Sequence, residues 1–384
     1  MPMVTDRPSR RAALGQSLAL VSLVAGFGRS NVDAQTIASS SLGVWPDAPR
    51  VLTAWTAGGR DWAGVWQPGQ PLCCAALPAR AHQLLALPCS TQRPSLQALV
   101  LARRPGEYLL RIDALRGQAL QWHGMEEDRY LGGHAALSSD GKTFFTTETD
   151  ATSGRGLVVE RNLHSLQALR EFNSGGTGPH AVLQEVGGTL LVANGGILNL
   201  PETGRRKLNV DRMDSNLTRL DPTSGAILAQ YRLDDPFLSL RHLAIAPDGK
   251  AAIALQAEHA KPVDRAAAPA WALLENQQLR AVHWRATADT PTGWDGYAGD
   301  ICYANQRFWV SAPHAGWLAS WTVAGDEPQL QQLTGAGALA SRGDMWVAGG
   351  AQAALAQRPG SMGSSPVNAN YTLLSAWDNH AELL

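Results

Sequence analysis

Short apolar runs alternate with glycine-centred polar turns along most of the chain, and the alternation repeats. GHAALSSDGKTFFTTETD from Gly133, GPHAVLQEVGGTLLVANGG from Gly178, RHLAIAPDGKAAIALQAE from Arg241 and GDICYANQRFWVSAPHAG from Gly299 share one layout. A polar residue (His134, His180, His242 or Asp300) opens a short apolar strand, and a turn follows. A second apolar strand then ends fourteen residues after that polar residue, at Glu148, Asn194, Gln256 or His314. Three of the turns carry glycine at the same offset, at Gly141, Gly187 and Gly249, where a tight strand-to-strand connection favours one.

Weaker copies extend the series. GAGALASRGDMWVAGG fits with Gly335 and Gly349 at the same spacing, and AHQLLALPCSTQRPSLQALVLARRPG fits from His82 with a longer turn. A last copy opens at His380 in WDNHAELL and stops after one strand; VLTAWTAGG and DWAGVWQPG, near the other end, have no opening strand of their own. Starts at 82, 134, 180, 242, 300, 335 and 380, spaced by 52, 46, 62, 58, 35 and 45 residues, predict an all-β fold. The expectation is a single seven-bladed β-propeller closed by pairing of the N- and C-terminal strands, which removes the exposed edges of an open sheet. Helical signals are nearly absent, and 38 glycines with 22 prolines suit a chain of many turns. Because two copies are weak, a six- or eight-bladed count is the main alternative.

The N-terminus does not share the repeat. Ser9-Arg10-Arg11, an apolar stretch from Ala12 to Phe27 and then Val32-Asp33-Ala34 read as a twin-arginine export signal, with cleavage after Ala34. The expected organisation is therefore a signal over residues 1–34 and the propeller over 35–384, located in the periplasm. The apolar stretch is broken by Gly15, Gln16 and Ser17, so no stable membrane span is expected once the signal is cleaved; an uncleaved anchor is the alternative. Twin-arginine export carries folded chains, which permits a cofactor to be loaded beforehand.

Composition changes the picture in two places. Of 32 basic and 33 acidic residues, residues 1–34 hold four (Arg7, Arg10, Arg11, Arg29) and two (Asp6, Asp33), leaving 28 against 31. Such a balance gives no reason to expect nucleic acid, and a monomer is expected. The four cysteines are Cys73, Cys74, Cys89 and Cys302; one of the first pair could bridge to Cys89 in an oxidising compartment, and no C-x-x-C motif is present. Thirteen tryptophans spread along the chain suit packing between blades better than a sugar-stacking platform. There is no G-x-S-x-G, phosphate loop, dinucleotide fingerprint or calcium loop.

In a propeller the loop entering the innermost strand and the loop leaving the second strand lie on one face. The fourteen-residue offset therefore gathers two sets of residues at one channel mouth. The inner set is His82, His134, His180, His242, Asp300 and His380, and around it stand Arg103, Arg104, Glu148, Asn194, Gln256 and His314. Two readings compete. Each histidine can be structural, hydrogen-bonded to the neighbouring blade as in WD repeats. Alternatively, several neutral imidazoles converge on one axis, as in nitrogen-rich sites for copper, zinc or iron. The ligand set expected on the second reading is His134, His180, His242 and His380 for a transition metal, iron or copper. Glu148, Asn194, Gln256, Arg205 and Arg241 join His134, His180 and His242 as the wider ligand-binding set. The insertion Ile197–Asp221 is expected to fold over this mouth, with Arg205, Arg206, Lys207 and Arg212 able to hold a carboxylate or phosphate unless Asp211 and Asp214 neutralise them.

GHAALSSDGKTFFTTETD, GPHAVLQEVGGTLLVANGGI, GRRKLN with Met213, RHLAIAPDGK and the terminal WDNH resemble DUF1513, a bacterial family of exported proteins of unknown function. The resemblance runs from about Ala81 to the C-terminus. It rests on His134, Glu148, His180, Asn194, Gly195, Gly196, Arg205, Asn209, Arg241, His242, Gln256, Asp378, Asn379 and His380. The sequence departs from it at Ala312-Pro313-His314-Ala315, where Ser-Pro-Arg-Gly is expected. The family's neighbourhood with iron-uptake proteins implies a role in metal acquisition and a periplasmic metal-uptake protein as partner. The functional expectation is a non-catalytic propeller binding a ligand or partner at a histidine-lined mouth. A metal-dependent redox or hydrolytic enzyme and an interaction scaffold are the alternatives.

Overall fold

The structure is a computed structural model and describes residues 48–70, 72–88, 95–204, 206–283, 295–359 and 367–384. Its strands form seven four-stranded antiparallel sheets, each a blade, and the protein is a seven-bladed β-propeller. The innermost strands of blades 1 to 6 are Ala81–Ala86, Arg129–Leu137, Pro179–Gln184, Leu238–Ile245, Ile301–Ala304 and Leu339–Arg342. Blade 7 takes its innermost strand, Trp377–Leu383, from the C-terminal end and its other three, beginning with Val51–Ala57, from the N-terminal side. Val51 pairs with Leu383 and Thr53 with Ala381, which closes the ring as expected. Among the described residues helix is confined to short segments such as Pro262–Ala267.

Burial follows position in the blade. Central strands such as Leu190–Asn194 and Ala251–Ala257 are apolar and buried because a blade covers each of their faces. The outermost strands Gln118–Gly124 and Ala168–Asn173 face solvent and mix polar with apolar residues. Between blades the core is built from large apolar side chains. Trp271 of blade 4 lies 5.7 Å from Phe308 and 5.4 Å from Trp321 of blade 5, and Trp309 lies 4.3 Å from Trp346 of blade 6. These tryptophans are packing elements, each filling the wedge between radiating sheets.

One start position differs from the repeat read along the chain. In blade 5 the backbone of Asp300 and Gly299 exchanges hydrogen bonds with Ser311, and in blade 6 the same exchange links Ala338 and Gly337 to Gly349. The sixth ring position is therefore Ala338, not Gly335. The hairpins of blades 5 and 6 both turn in two residues, at Asn305-Gln306 and Gly343-Asp344, so a fourteen-residue offset overruns the second strand of blade 5 to reach His314 and sets the start of blade 6 too early, at Gly335.

Among the described residues Cys73, Cys74 and Cys302 are free thiols, while Cys89 lies outside them. Residues 1–47, with the expected export signal 1–34 inside them, also lie outside the described residues. No helix among the described residues is long and apolar enough to cross a membrane.

Candidate metal centre

Each inner-ring histidine sits where its strand breaks register with the second strand. The irregular steps fall between Ala81 and Gln83, Leu131 and Ala135, Pro179 and Ala181, and Leu240 and Leu243, and in blade 7 opposite Thr53 to Trp55. A bulge inserts an unpaired residue and re-aims its side chain. His82, His134, His180, His242 and His380 occupy these steps and are all buried. The turning of five imidazoles toward one axis is thus a property of the backbone, repeated blade by blade.

Most of the ring pairs pack edge to face, and His242 is tilted against His82, His134 and His180. His82 has its ring centroid 4.7 Å from His134, 5.3 Å from His180, 6.0 Å from His242 and 4.6 Å from His380. This closeness depends on Gly133, whose φ of +109° is open to glycine and whose missing Cβ would lie 2.3 Å from His82 Cδ2. One nitrogen from each of His82, His134, His180 and His242 lies within 4.8 Å of the others. His180 Nε2 and His242 Nε2 stand 2.8 Å apart, a hydrogen bond in which one imidazole donates.

Most of the remaining ring nitrogens have no protein partner. Both nitrogens of His82, Nε2 of His134, Nδ1 of His180, Nδ1 of His242 and Nε2 of His380 are buried without a hydrogen bond. A buried polar atom left unpaired costs on the order of 1–3 kcal/mol, so a purely structural role does not account for this cluster. Burial first, and then neighbouring imidazoles and arginines, hold His82, His134, His180 and His242 well below the usual histidine pKa. They are neutral at neutral pH and keep lone pairs for a Lewis acid.

Asp300 supplies the carboxylate. Its Oδ1 accepts from the Ile301 N–H at 2.9 Å and its Oδ2 from the Leu339 N–H at 3.0 Å, which fixes its plane. Oδ2 lies 3.1 Å from His380 Nδ1 and Oδ1 lies 3.8 Å from His242 Nδ1. A carboxylate on Nδ1 selects the tautomer that leaves Nε2 as the ligand atom. The same groups also make a second candidate set, His242, Asp300 and His380.

Above the imidazoles a cavity of about 120 Å³ opens, lined by His82, His180 and His242 with Arg103, Arg104, Lys207, Arg241, Gln256 and Tyr297. The insertion forms part of its roof. Asn209 Oδ1 accepts from the Leu198 N–H at 2.7 Å and Asn209 Nδ2 donates to the Gly196 carbonyl at 2.9 Å, stapling the loop's two ends. The loop then spans blades, with the Tyr130 hydroxyl of blade 2 donating to the Asn199 carbonyl and Lys207 paired to Glu258 of blade 4.

The residues named from the sequence separate into three groups. His134, His180, His242 and His380 come together, joined by His82, whose long turn (Leu87 to Leu96) weakens its copy of the repeat. Arg241 and Gln256 line the cavity. Glu148 and Asn194 are spent inside their blades. Glu148 Oε1 lies 2.8 Å from Arg161 Nε, both fully buried, and the Asn194 amide donates to the Ser174 carbonyl at 2.9 Å and to Asn216 Oδ1 at 3.0 Å. His314 stays exposed at the rim, stacked on Tyr297 at 4.6 Å. Asp214 pairs with Arg232 rather than with an arginine of the loop. Arg205 lies outside the described residues. Tyr297, Asn199 and Asn379 line the cavity without any signal in the repeat that singles them out.

Solved structures with the same architecture are distant in sequence. The Kuenenia stuttgartiensis hydrazine synthase matches at a TM-score of 0.52 and 13% identity, over 74% of this chain and 80% of that one. The Dos1 propeller matches at 0.51 and 13%, over 85% of this chain and 83% of that one. At such identity the likeness concerns the fold alone. No curated protein matches the sequence. The family described as "Protein of unknown function (DUF1513)" matches residues 75–384, the stretch that carries the four later histidines and His82 alike, and the chain belongs to that family.

Proposed function

We propose that this protein is an exported, periplasmic metal-binding propeller that holds a transition metal ion, iron or copper, on the imidazoles at its channel mouth and serves metal uptake. The observation that supports this reading is the set of buried, unpartnered imidazole nitrogens around one point. Neutral imidazole suits copper, iron, zinc and nickel, and four such nitrogens are a sufficient donor set. Ligand nitrogens around a tetrahedral ion stand about 3.3 Å apart, so the 2.8 Å pair of His180 and His242 opens slightly on binding. A periplasmic metal-uptake protein is the partner this role calls for.

The test is metal analysis of protein isolated from the periplasm, wild type beside the combined His134→Ala, His180→Ala and His242→Ala variant. Wild-type protein is expected to carry one equivalent of metal and the variant none. Metal-free wild type under every growth condition, or equal occupancy in both, would sink the proposal. Asp300→Asn gives a finer result. Loss of the carboxylate behind His242 and His380 is expected to weaken metal binding about 10–100-fold, read by chelator competition, whereas a change under twofold would remove Asp300 from the site.

A second reading has its own observation. The cavity opening onto His82, His180 and His242 leaves one side of the imidazole set clear of backbone, as catalytic metals require. Turnover of a redox or hydrolytic substrate that vanishes in the triple variant would identify an enzyme; metal binding without any turnover favours the uptake role.

A further inference from the structure

The cavity above the imidazoles is cationic, and its charge has a consequence for the metal below. Arg103, Arg104, Lys207 and Arg241 all line it, and among the described residues no carboxylate does. Two acids that contact these cations lie outside the lining. Asp378 meets Arg103 at 3.7 Å but is shared with Arg80, and Glu258 meets Arg241 at 3.5 Å but is shared with Lys207. His82, His180 and His242 beneath are neutral at neutral pH, and the carboxylate that reaches the imidazoles themselves is Asp300. A divalent ion placed there faces a row of like charges in a buried setting, where Coulomb repulsion is poorly screened. An anion seated in the cavity removes that repulsion, and guanidinium groups are built to bind planar or tetrahedral oxyanions through paired donors.

Building on the metal reading above, we propose that the cavity binds a small oxyanion, a short carboxylate or a phosphate, which also coordinates the metal, so that the protein takes its ion as an anionic chelate. The anion's outer oxygens face Arg104 and Arg241, and an inner oxygen completes the coordination shell from the open side. A volume of about 120 Å³ admits an oxalate-sized molecule or phosphate.

Titration with copper(II) as the probe metal tests this, run with oxalate, citrate or inorganic phosphate and without an anion, on wild type, Arg104→Gln and Arg104→Lys. The effective anion is expected to tighten copper binding about tenfold or more in wild type and to shift the copper d–d absorption band, the mark of a direct metal–oxygen bond. Arg104→Gln should lose most of the tightening and Arg104→Lys should keep part of it. The ranking of oxalate and citrate against phosphate tells which oxyanion class the cavity takes. Copper binding that no anion tightens or shifts, or tightening unchanged in Arg104→Gln, overturns the chelate while leaving the metal reading intact. Oxalate or phosphate binding to a chain that takes no copper overturns the metal reading and the shared complex with it. The wild-type arms decide the matter even if a variant fails to fold.

Discussion

Metal-free protein brought from pH 6.5 to pH 5.5 should lose unfolding free energy, by at most about 4 kcal/mol from four imidazoles. His82, His134, His180 and His242 have pKa values held well below 6.5 in the folded state by burial, while in the unfolded chain each returns to about that value. The unfolded state therefore binds more protons in this range, and stability rises with pH. Each such group contributes its full stabilisation above the unfolded pKa and loses it progressively as pH falls toward the folded one, at up to about 1.4 kcal/mol per pH unit. Denaturant unfolding with a chelator present at pH 7.5, 6.5 and 5.5 measures it, and a stability flat across that range would show that the folded imidazoles protonate freely. Metal competes with these protons, so loaded protein should hold its stability to lower pH.

Arg161→Met is expected to cost about 3–5 kcal/mol, although the residue lies outside the metal centre. Its guanidinium is fully buried, bridging Glu148 and Glu126 at 2.8 Å each and donating to the Leu166 carbonyl at 3.1 Å. Burial raises the Glu148 carboxyl pKa, and Arg161 with the Thr146 hydroxyl is what opposes that. Removing the guanidinium leaves a buried acid without a counter-charge, whereas removing both partners leaves no such group. The double variant Arg161→Met with Glu148→Gln should recover most of the loss in thermal unfolding. A single variant costing under about 1 kcal/mol would mean that water reaches Glu148 and screens it.

The fold was legible because propeller geometry imposes a local rule. The start of an innermost strand and the end of its neighbour share a mouth, so a single offset picked out His180 with Asn194, which pairs with Pro179, and His242 with Gln256, which pairs with Ser239. The same rule misled at blade 6, where the short turn at Gly343 shifts the ring position to Ala338. It also places a backbone rather than a side chain. Glu148 lies two residues before the end of the second strand of blade 2, opposite Leu157, and its carboxylate reaches along the sheet face to Arg161 on the next strand. Asn194 likewise turns to Asn216 across the strand pair. The histidines escape this fate because bulges lift them out of the ladder, a feature that leaves only a weak trace in the glycines and prolines beside them. His82 stood at the edge of legibility, its repeat obscured by a long turn while its ring packs against four others.

Closure of the ring also sets an order in time. Val51–Ala57 leaves the ribosome early and waits with one edge unpaired through the synthesis of six further blades, until Trp377–Leu383 arrives to cover it. That late strand brings His380 and, through Asp378, the ion pairs to Arg80 and Arg103 at the mouth. The imidazole cluster is therefore among the last parts of the molecule to be completed. A ribosome-bound chain lacking that strand has neither its seam nor its full donor set, so ion capture through the complete cluster waits for that strand to dock.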